Sequence, residues 1–422
     1  MAARSSRLPK PRRADSPTRI EKDILGELRV PAAALYGIHT VRAVNNLRFS
    51  SSLLSDYPDY IRSLAIVKKA AARANRDARV IDPRQFAAIE HACDALIRGE
   101  HRDQFPVDLL GGGGSIAVNM NLNEVIANLA IEHLGGARGA YNPVHPKSHV
   151  NASQSTADVC RTATQMTVID RWTNLHRVLR RCVSAYRAKA AELRPIVTIA
   201  RTCLNDGERV SLGESFNGHA EALARRVAEL DRSVKALTKI NLGGTAIGSG
   251  SGAPAIYRRT VLKHLNEISG RRFSLRRNLY DAAQNIDDLA SVSTELALLA
   301  EVFMKIAQDL RLLASGPRGG FGEIILPAVQ EGSSFYPGKI NPVIPETILQ
   351  CCFQVLGRER ATRLALEHGE LNLNVFESGA ATNILDAIDM MRRSVETFVE
   401  RCLKGIVANK TRCRELAKLA RY

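Results

Sequence analysis

Leu289, Val292, Leu296, Leu299, Phe303, Ile306, Leu310 and Leu313 recur at spacings of 3, 4, 3, 4, 3, 4 and 3, in a stretch without glycine or proline. That period is the seam of an α-helix that meets its neighbours over its whole length. A helix of about 30 residues runs roughly 45 Å, which only a long bundle can bury. Leu298, Val302, Met304 and Leu312 make the other faces apolar too, so the helix is expected to be surrounded by partners. Val168, Trp172, Leu175, Leu179, Cys182 and Tyr186 repeat the pattern and predict a second helix from Ala163 to Leu193. Pro345 and Glu346 suit the first turn of a third, which carries Ile348, Cys351, Cys352 and Val355. Residues 60–100 are helical in composition, and strand-like alternation is scarce. The expected fold is all-α, built on a long-helix bundle, with enough apolar helix surface to invite self-association.

Composition excludes several classes. No apolar run approaches the roughly 18 residues that span a bilayer, so a soluble protein without membrane contact is expected. The formal charge is +16, but aromatic residues make up 5% of the chain and no nucleic-acid motif carries the basic residues. Nucleic acid is therefore not the expected partner. A positive field also steers small dianions toward a pocket, and that reading is preferred. The eight cysteines form no C-x-x-C pair, which suggests neither a disulfide framework nor a zinc site and fits a reducing cytoplasmic setting. Residues 1–17 carry Arg4, Arg7, Lys10, Arg12 and Arg13 among prolines and read as a disordered basic tail.

Between the two later helices lies Gly332-Ser333-Ser334-Phe335-Tyr336-Pro337-Gly338-Lys339-Ile340-Asn341-Pro342. It is too polar for a core and too constrained for a linker. A serine becomes a base only where nearby charge and backbone amides hold its alkoxide, and Lys339 and Asn341 supply a cation and an amide close by. On composition alone, a Gly/Pro-rich surface turn fits this segment equally well. His145 and His149 stand four apart, but Pro146 separates them and no acidic third ligand is near, so a loop is expected there rather than a metal site.

The segment GSSFYPGKINPVIPE resembles the signature loop of the aspartase/fumarase superfamily, with Tyr336 where the family has methionine. Three further stretches resemble the same family: RIEKDILGELRVPAAALYGIHTVRAVNNLRFS from Arg19, VHPKSHVNASQSTADVCRTA from Val144 and TIARTCLNDGERVSLGESFNGHA from Thr198. The resemblance covers about residues 19–420. It implies domains at 18–150 (helical), 151–398 (central bundle with the loop at 332–342) and 399–422, the last read as the truncated start of a C-terminal domain. It also implies a homotetramer whose active sites each draw on three subunits.

The resemblance assigns roles. Ser333 takes the Cβ proton; Ser155, Thr156 and Ser334 hold the carboxylate that stabilises the carbanion, and Thr202, Lys339 and Asn341 hold the other. No cofactor is implied, and no metal. Three positions depart from the family. Ile116 replaces a threonine, Ala157 an asparagine and Cys203 a histidine or glutamine, and all three line the leaving-group pocket. The implied activity is an aspartase-like carbon–nitrogen lyase. It acts on a small succinyl- or aspartyl-type dianion and releases fumarate, with ammonia or a substituted, less cationic nitrogen group leaving. A fumarase-like hydratase and a non-catalytic family member with a structural or regulatory role are the alternatives.

Overall fold

The computed structural model describes residues 17–421, so all of the predicted basic tail except Pro17 lies outside the described residues. Along the chain run β1 (Thr18–Asp23), β2 (Gly26–Pro31), α1 (Ile38–Asn46), α2 (Pro58–Asp77), α3 (Pro83–Ile97), α4 (Ile116–His133) and α5 (Thr156–Leu193). Next come β3 (Val197–Thr202), β4 (Asn205–Ser211), α6 (Leu212–Ala236), β5 (Lys239–Ile240), α7 (Ala255–Ser269), β6 (Ser274–Leu275) and α8 (Leu279–Gln284). The chain continues through α9 (Asp287–Leu313), β7 (Ile324–Ile325), α10 (Val343–Glu367), α11 (Glu377–Arg401), β8 (Val407–Ala408) and α12 (Lys410–Ala417).

The described residues divide into two compact units, one of residues 17–160 with 252–270, the other of residues 161–251 with 271–421. In the first, α2 packs against α3 and α7, and α4 against α1 and α3. Glu124 of α4 accepts the backbone N–H groups of Gly37, His39 and Thr40 and the Thr40 hydroxyl at 2.7–3.2 Å, which ties the start of α1 to α4. The Arg19 guanidinium donates to the carbonyls of Pro31, Ala32, Ala34 and Tyr36, fastening the first hairpin to the turn behind it.

The second unit is the long-helix bundle. Its α9, α10 and α11 pack on one another, and α6 packs on α9. Tyr186 of α5 meets the rings of Phe216 (α6) and Phe398 (α11) at 6.0 and 6.2 Å, and Phe398 meets Phe303 (α9) at 6.2 Å. Leu289, Val292, Leu296, Leu299, Phe303, Ile306 and Leu310 of the α9 seam are each at most 1% exposed. Each such burial contributes about 1.5–3 kcal/mol before entropy is counted. The all-round enclosure expected of α9 is partial in the single chain: Leu298, Val302 and Met304 are half-buried and Leu312 is exposed.

Two hairpins add to the helical class where the sequence suggested no strand. β1 pairs antiparallel with β2 and β3 with β4. Neither tip has the Asn-Gly signal that marks a tight hairpin. The first is Ile24-Leu25, followed by Gly26 at φ 110°. The second is Cys203-Leu204, with both residues left-handed at φ 54° and 62°. Helix α5 starts at Thr156, seven residues before the start expected at Ala163, because its cap is polar. The Ser155 N–H donates to Asp158 Oδ1 (3.0 Å) and the Ala157 N–H to Ser155 Oγ (3.3 Å), a reciprocal cap.

Candidate active site

In the first unit, Ser155, Thr156 and Ala157 stand together at the N-terminus of α5. The free N–H groups of a helix start favour an anion, and two hydroxyls beside them can donate to a carboxylate. Asn119 of α4 donates from Nδ2 to Thr156 Oγ1 at 2.8 Å and to Asn151 Oδ1 at 3.1 Å. The same Asn151 oxygen accepts from Asn123 Nδ2 at 3.2 Å and from Lys68 Nζ at 2.8 Å. Lys68, on α2, is 1% exposed. Burial pulls its ammonium down to about 7, against the opposing pull of Cys160, Asp158 and Cys93. Ile116 is the first residue of α4 and is 45% exposed, behind Ser115 at φ 69°.

In the second unit, Thr202 and Cys203 sit at the exposed end of the β3–β4 hairpin, where Thr202 pairs with Asn205. The 332–342 loop closes on itself. The Gly332 N–H donates to the Lys339 carbonyl (2.8 Å), and Asn341 Nδ2 donates to the Gly332 carbonyl (2.6 Å). This base admits no side chain at Gly332, since a Cβ there would stand 2.5 Å from the Lys339 oxygen and 2.7 Å from the Asn341 nitrogen. The N–H groups of Phe335 and Tyr336 converge on Ser333 Oγ at 3.0 and 2.8 Å. Two amides aimed at one hydroxyl oxygen stabilise the alkoxide that a serine base requires.

Ser334 and Lys339 are exposed, and the Lys339 ammonium lies over the Tyr336 ring at 5.8 Å from its centre. The loop presents Phe335, Tyr336 and Ile340 to solvent at 79%, 60% and 51%. The loop thus gathers Ser333, Ser334, Lys339 and Asn341. Among the described residues, no hydrogen bond joins it to Thr202 or Cys203.

His145 and His149 lie at a π-turn over Pro146–Val150 and bond local backbone. His145 Nδ1 accepts from the N–H groups of Lys147 and Ser148, and His149 Nδ1 accepts from the His145 N–H. No group of three or more His, Cys, Asp or Glu side chains among the described residues is placed to hold a metal ion. Sequence reasoning missed Lys68, Asn119 and Asn151. A signal for Lys68 was present: Ile61, Leu64 and Ala71 put it on the buried stripe of α2, where a lysine needs an explanation.

Residues 26–357 match the family described as lyase. An aspartate ammonia-lyase from Pseudomonas fluorescens is 43% identical over 401 residues, covering 95% of this chain and 84% of that protein. A fumarate lyase/delta-crystallin from Brucella melitensis, crystallised with cobalt, superposes with a TM-score of 0.92 at 43% identity, over 94% of this chain and 86% of that one. A class II fumarase from Schistosoma mansoni superposes at 0.90 with 27% identity, over 95% and 87% of the two chains.

Proposed function

Because this chain belongs to the lyase family, in the aspartase/fumarase superfamily, we propose that it removes the Cβ proton of a small succinyl- or aspartyl-type dianion through Ser333 and releases fumarate. It is a carbon–nitrogen lyase of the ammonia-lyase type. The observation that carries the assignment of the base is the pair of amides on Ser333 Oγ. The alkoxide takes the proton, the electron pair passes into the adjacent carboxylate, and the nitrogen group leaves from the neighbouring carbon in an anti elimination. Ser155, Thr156 and Ser334 hold the carboxylate that receives the electrons. Thr202, Lys339 and Asn341 hold the other. The half-buried and exposed apolar residues of α9 fit self-association, and the homotetramer belongs to the same proposal.

Ile116, Ala157 and Cys203 surround the leaving group in this scheme. None of the three side chains offers a strong partner to an ammonium, and each missing hydrogen bond costs about 1–3 kcal/mol where the site is dry. The leaving group is therefore ammonia with other partners or a substituted, less cationic nitrogen. The test runs the reaction backwards, with purified protein, fumarate and a panel of amines including ammonia, followed by loss of fumarate absorbance. Addition of ammonia alone identifies an aspartase; addition of another amine without ammonia identifies the leaving group. Formation of malate in the absence of any amine would overturn the carbon–nitrogen assignment in favour of a hydratase.

A further inference from the structure

In the polar cluster behind Thr156, Lys68 brings its amine into a closed interior without an ion pair of its own among the described residues. Its hydrogen bond goes to Asn151 Oδ1, which already receives Asn119 and Asn123. Three donors on one amide oxygen fix which way Asn151 faces. Its own Nδ2 turns to the Gln154 carbonyl at 3.2 Å. With that oxygen facing it, Asn119 must present its Nδ2, and the second N–H of that group reaches Thr156 Oγ1 at 2.8 Å. A hydroxyl that accepts from Asn119 has its own proton left to give.

We propose that Lys68 is a positioning residue which, through Asn151 and Asn119, sets the Thr156 hydroxyl as a hydrogen-bond donor toward a substrate carboxylate. This rests on the assignment of Thr156 to substrate binding. Without the ammonium, Asn151 is free to turn its Nδ2 toward Asn119. Asn119 then turns its oxygen toward Thr156, the hydroxyl swings inward to donate, and its lone pairs face the carboxylate. A donor becomes a repulsive acceptor while the backbone stays where it is. Lys68 thus sets the polarity of the binding group, which is a different task from filling space. Met at this position keeps the volume and removes the donor.

The experiment is a steady-state double-mutant cycle on the full chain, with Lys68→Met, Thr156→Val and the pair, using the amine that the reverse reaction selects. Lys68→Met is expected to raise KM for the dianion about ten- to a hundredfold, the worth of a hydrogen bond to a charged group, with kcat changed much less. In the Thr156→Val background the same change should leave KM within about twofold, because the hydroxyl that Lys68 orients is gone. If Lys68→Met does not fold, Asn119→Asp replaces it: an acceptor-only side chain facing Thr156 imposes the inverted polarity with Lys68 still present. Equal KM increases with and without the Thr156 hydroxyl, or a loss confined to kcat, would overturn the relay. An unchanged KM in Thr156→Val alone would instead remove the assignment of Thr156, which separates the two failures.

Discussion

The residues behind Thr156 and those around Ser333 are built by opposite means. The first set is buried and cross-linked, with Lys68 at 1% exposure and three amide or ammonium groups making four hydrogen bonds to two acceptors across α2, α4 and α5. The second is an exposed loop held at its base by one backbone hydrogen bond and one from the Asn341 side chain, with Phe335 and Tyr336 in solvent. Charge recognition needs donors whose direction does not change, and a helix start backed by packed amides supplies that. Proton removal needs a group that can meet the substrate after it has entered, and such groups belong on segments of low local stability. Under the proposed assignment, the closed network positions the carboxylate and the loop delivers the base.

The strongest way to break this contrast is at Ser333. Ser333→Ala should lower kcat by about a hundred- to ten-thousandfold, the range for losing a general base, with unchanged thermal unfolding because the loop is exposed. Full activity in that variant would assign the base elsewhere. Gly332→Ala tests the loop's closure and not its chemistry. The added Cβ stands 2.5 Å from the Lys339 carbonyl, so the base of the loop has to open. A shift on the order of 1 Å in the reacting groups costs roughly a hundredfold in rate. The expected signature is a kcat loss of that size with the unfolding temperature preserved, whereas a cooperative loss of stability would show that the loop carries structure as well.

The closed region has a pH signature. Lys68 titrates near 7 when folded, lowered by burial, against about 10.4 in an unfolded chain. Between those values the unfolded chain binds more protons, so stability rises with pH across that window. The cost of burying the charge is fully present below about 7 and is relieved as the amine becomes neutral. The facing groups are Asp158, Cys160 and Cys93, and burial holds the Cys93 thiol up at about 12. The Lys68 contribution is a slope of up to about 1.4 kcal/mol per pH unit. Denaturant titrations from pH 7 to 10 should show that slope in the parent and its loss in Lys68→Met. Equal slopes in the two proteins would mean that Lys68 stays charged when folded.

The same contrast governs how much was legible in the sequence. Helix α9 could be read because one physical cause, a buried stripe at helical period, sets eight residues at once. The 332–342 loop could be read because glycine, proline and hydroxyl residues constrain the backbone locally. The β3–β4 hairpin could not: its tip is a cysteine and a leucine in a conformation that costs both of them energy, and only the pairing of the flanking strands reveals it. The Lys68 network could not either. Its members lie at 68, 119, 151 and 156, and spacing carries no information about groups that meet only after three helices pack.

The smallest effect, and the most diagnostic for specificity, is at Cys203. Its φ of 54° sits in the left-handed region at an exposed tip, where a side chain costs about 1–2 kcal/mol that glycine does not pay. Cys203→Gly should therefore stabilise the hairpin by about 1 kcal/mol, read as a small rise in denaturation midpoint. Activity then separates two roles. If the thiol lines the leaving-group pocket, the variant gains stability while its preference among amines in the reverse reaction shifts toward bulkier ones. If the preference is unchanged, Cys203 is only the tip of a hairpin, and discrimination of the leaving group falls to Ile116 and Ala157. A loss of stability would mean that this tip, alone among the left-handed residues at 203 and 204, is held by contacts that repay its strain.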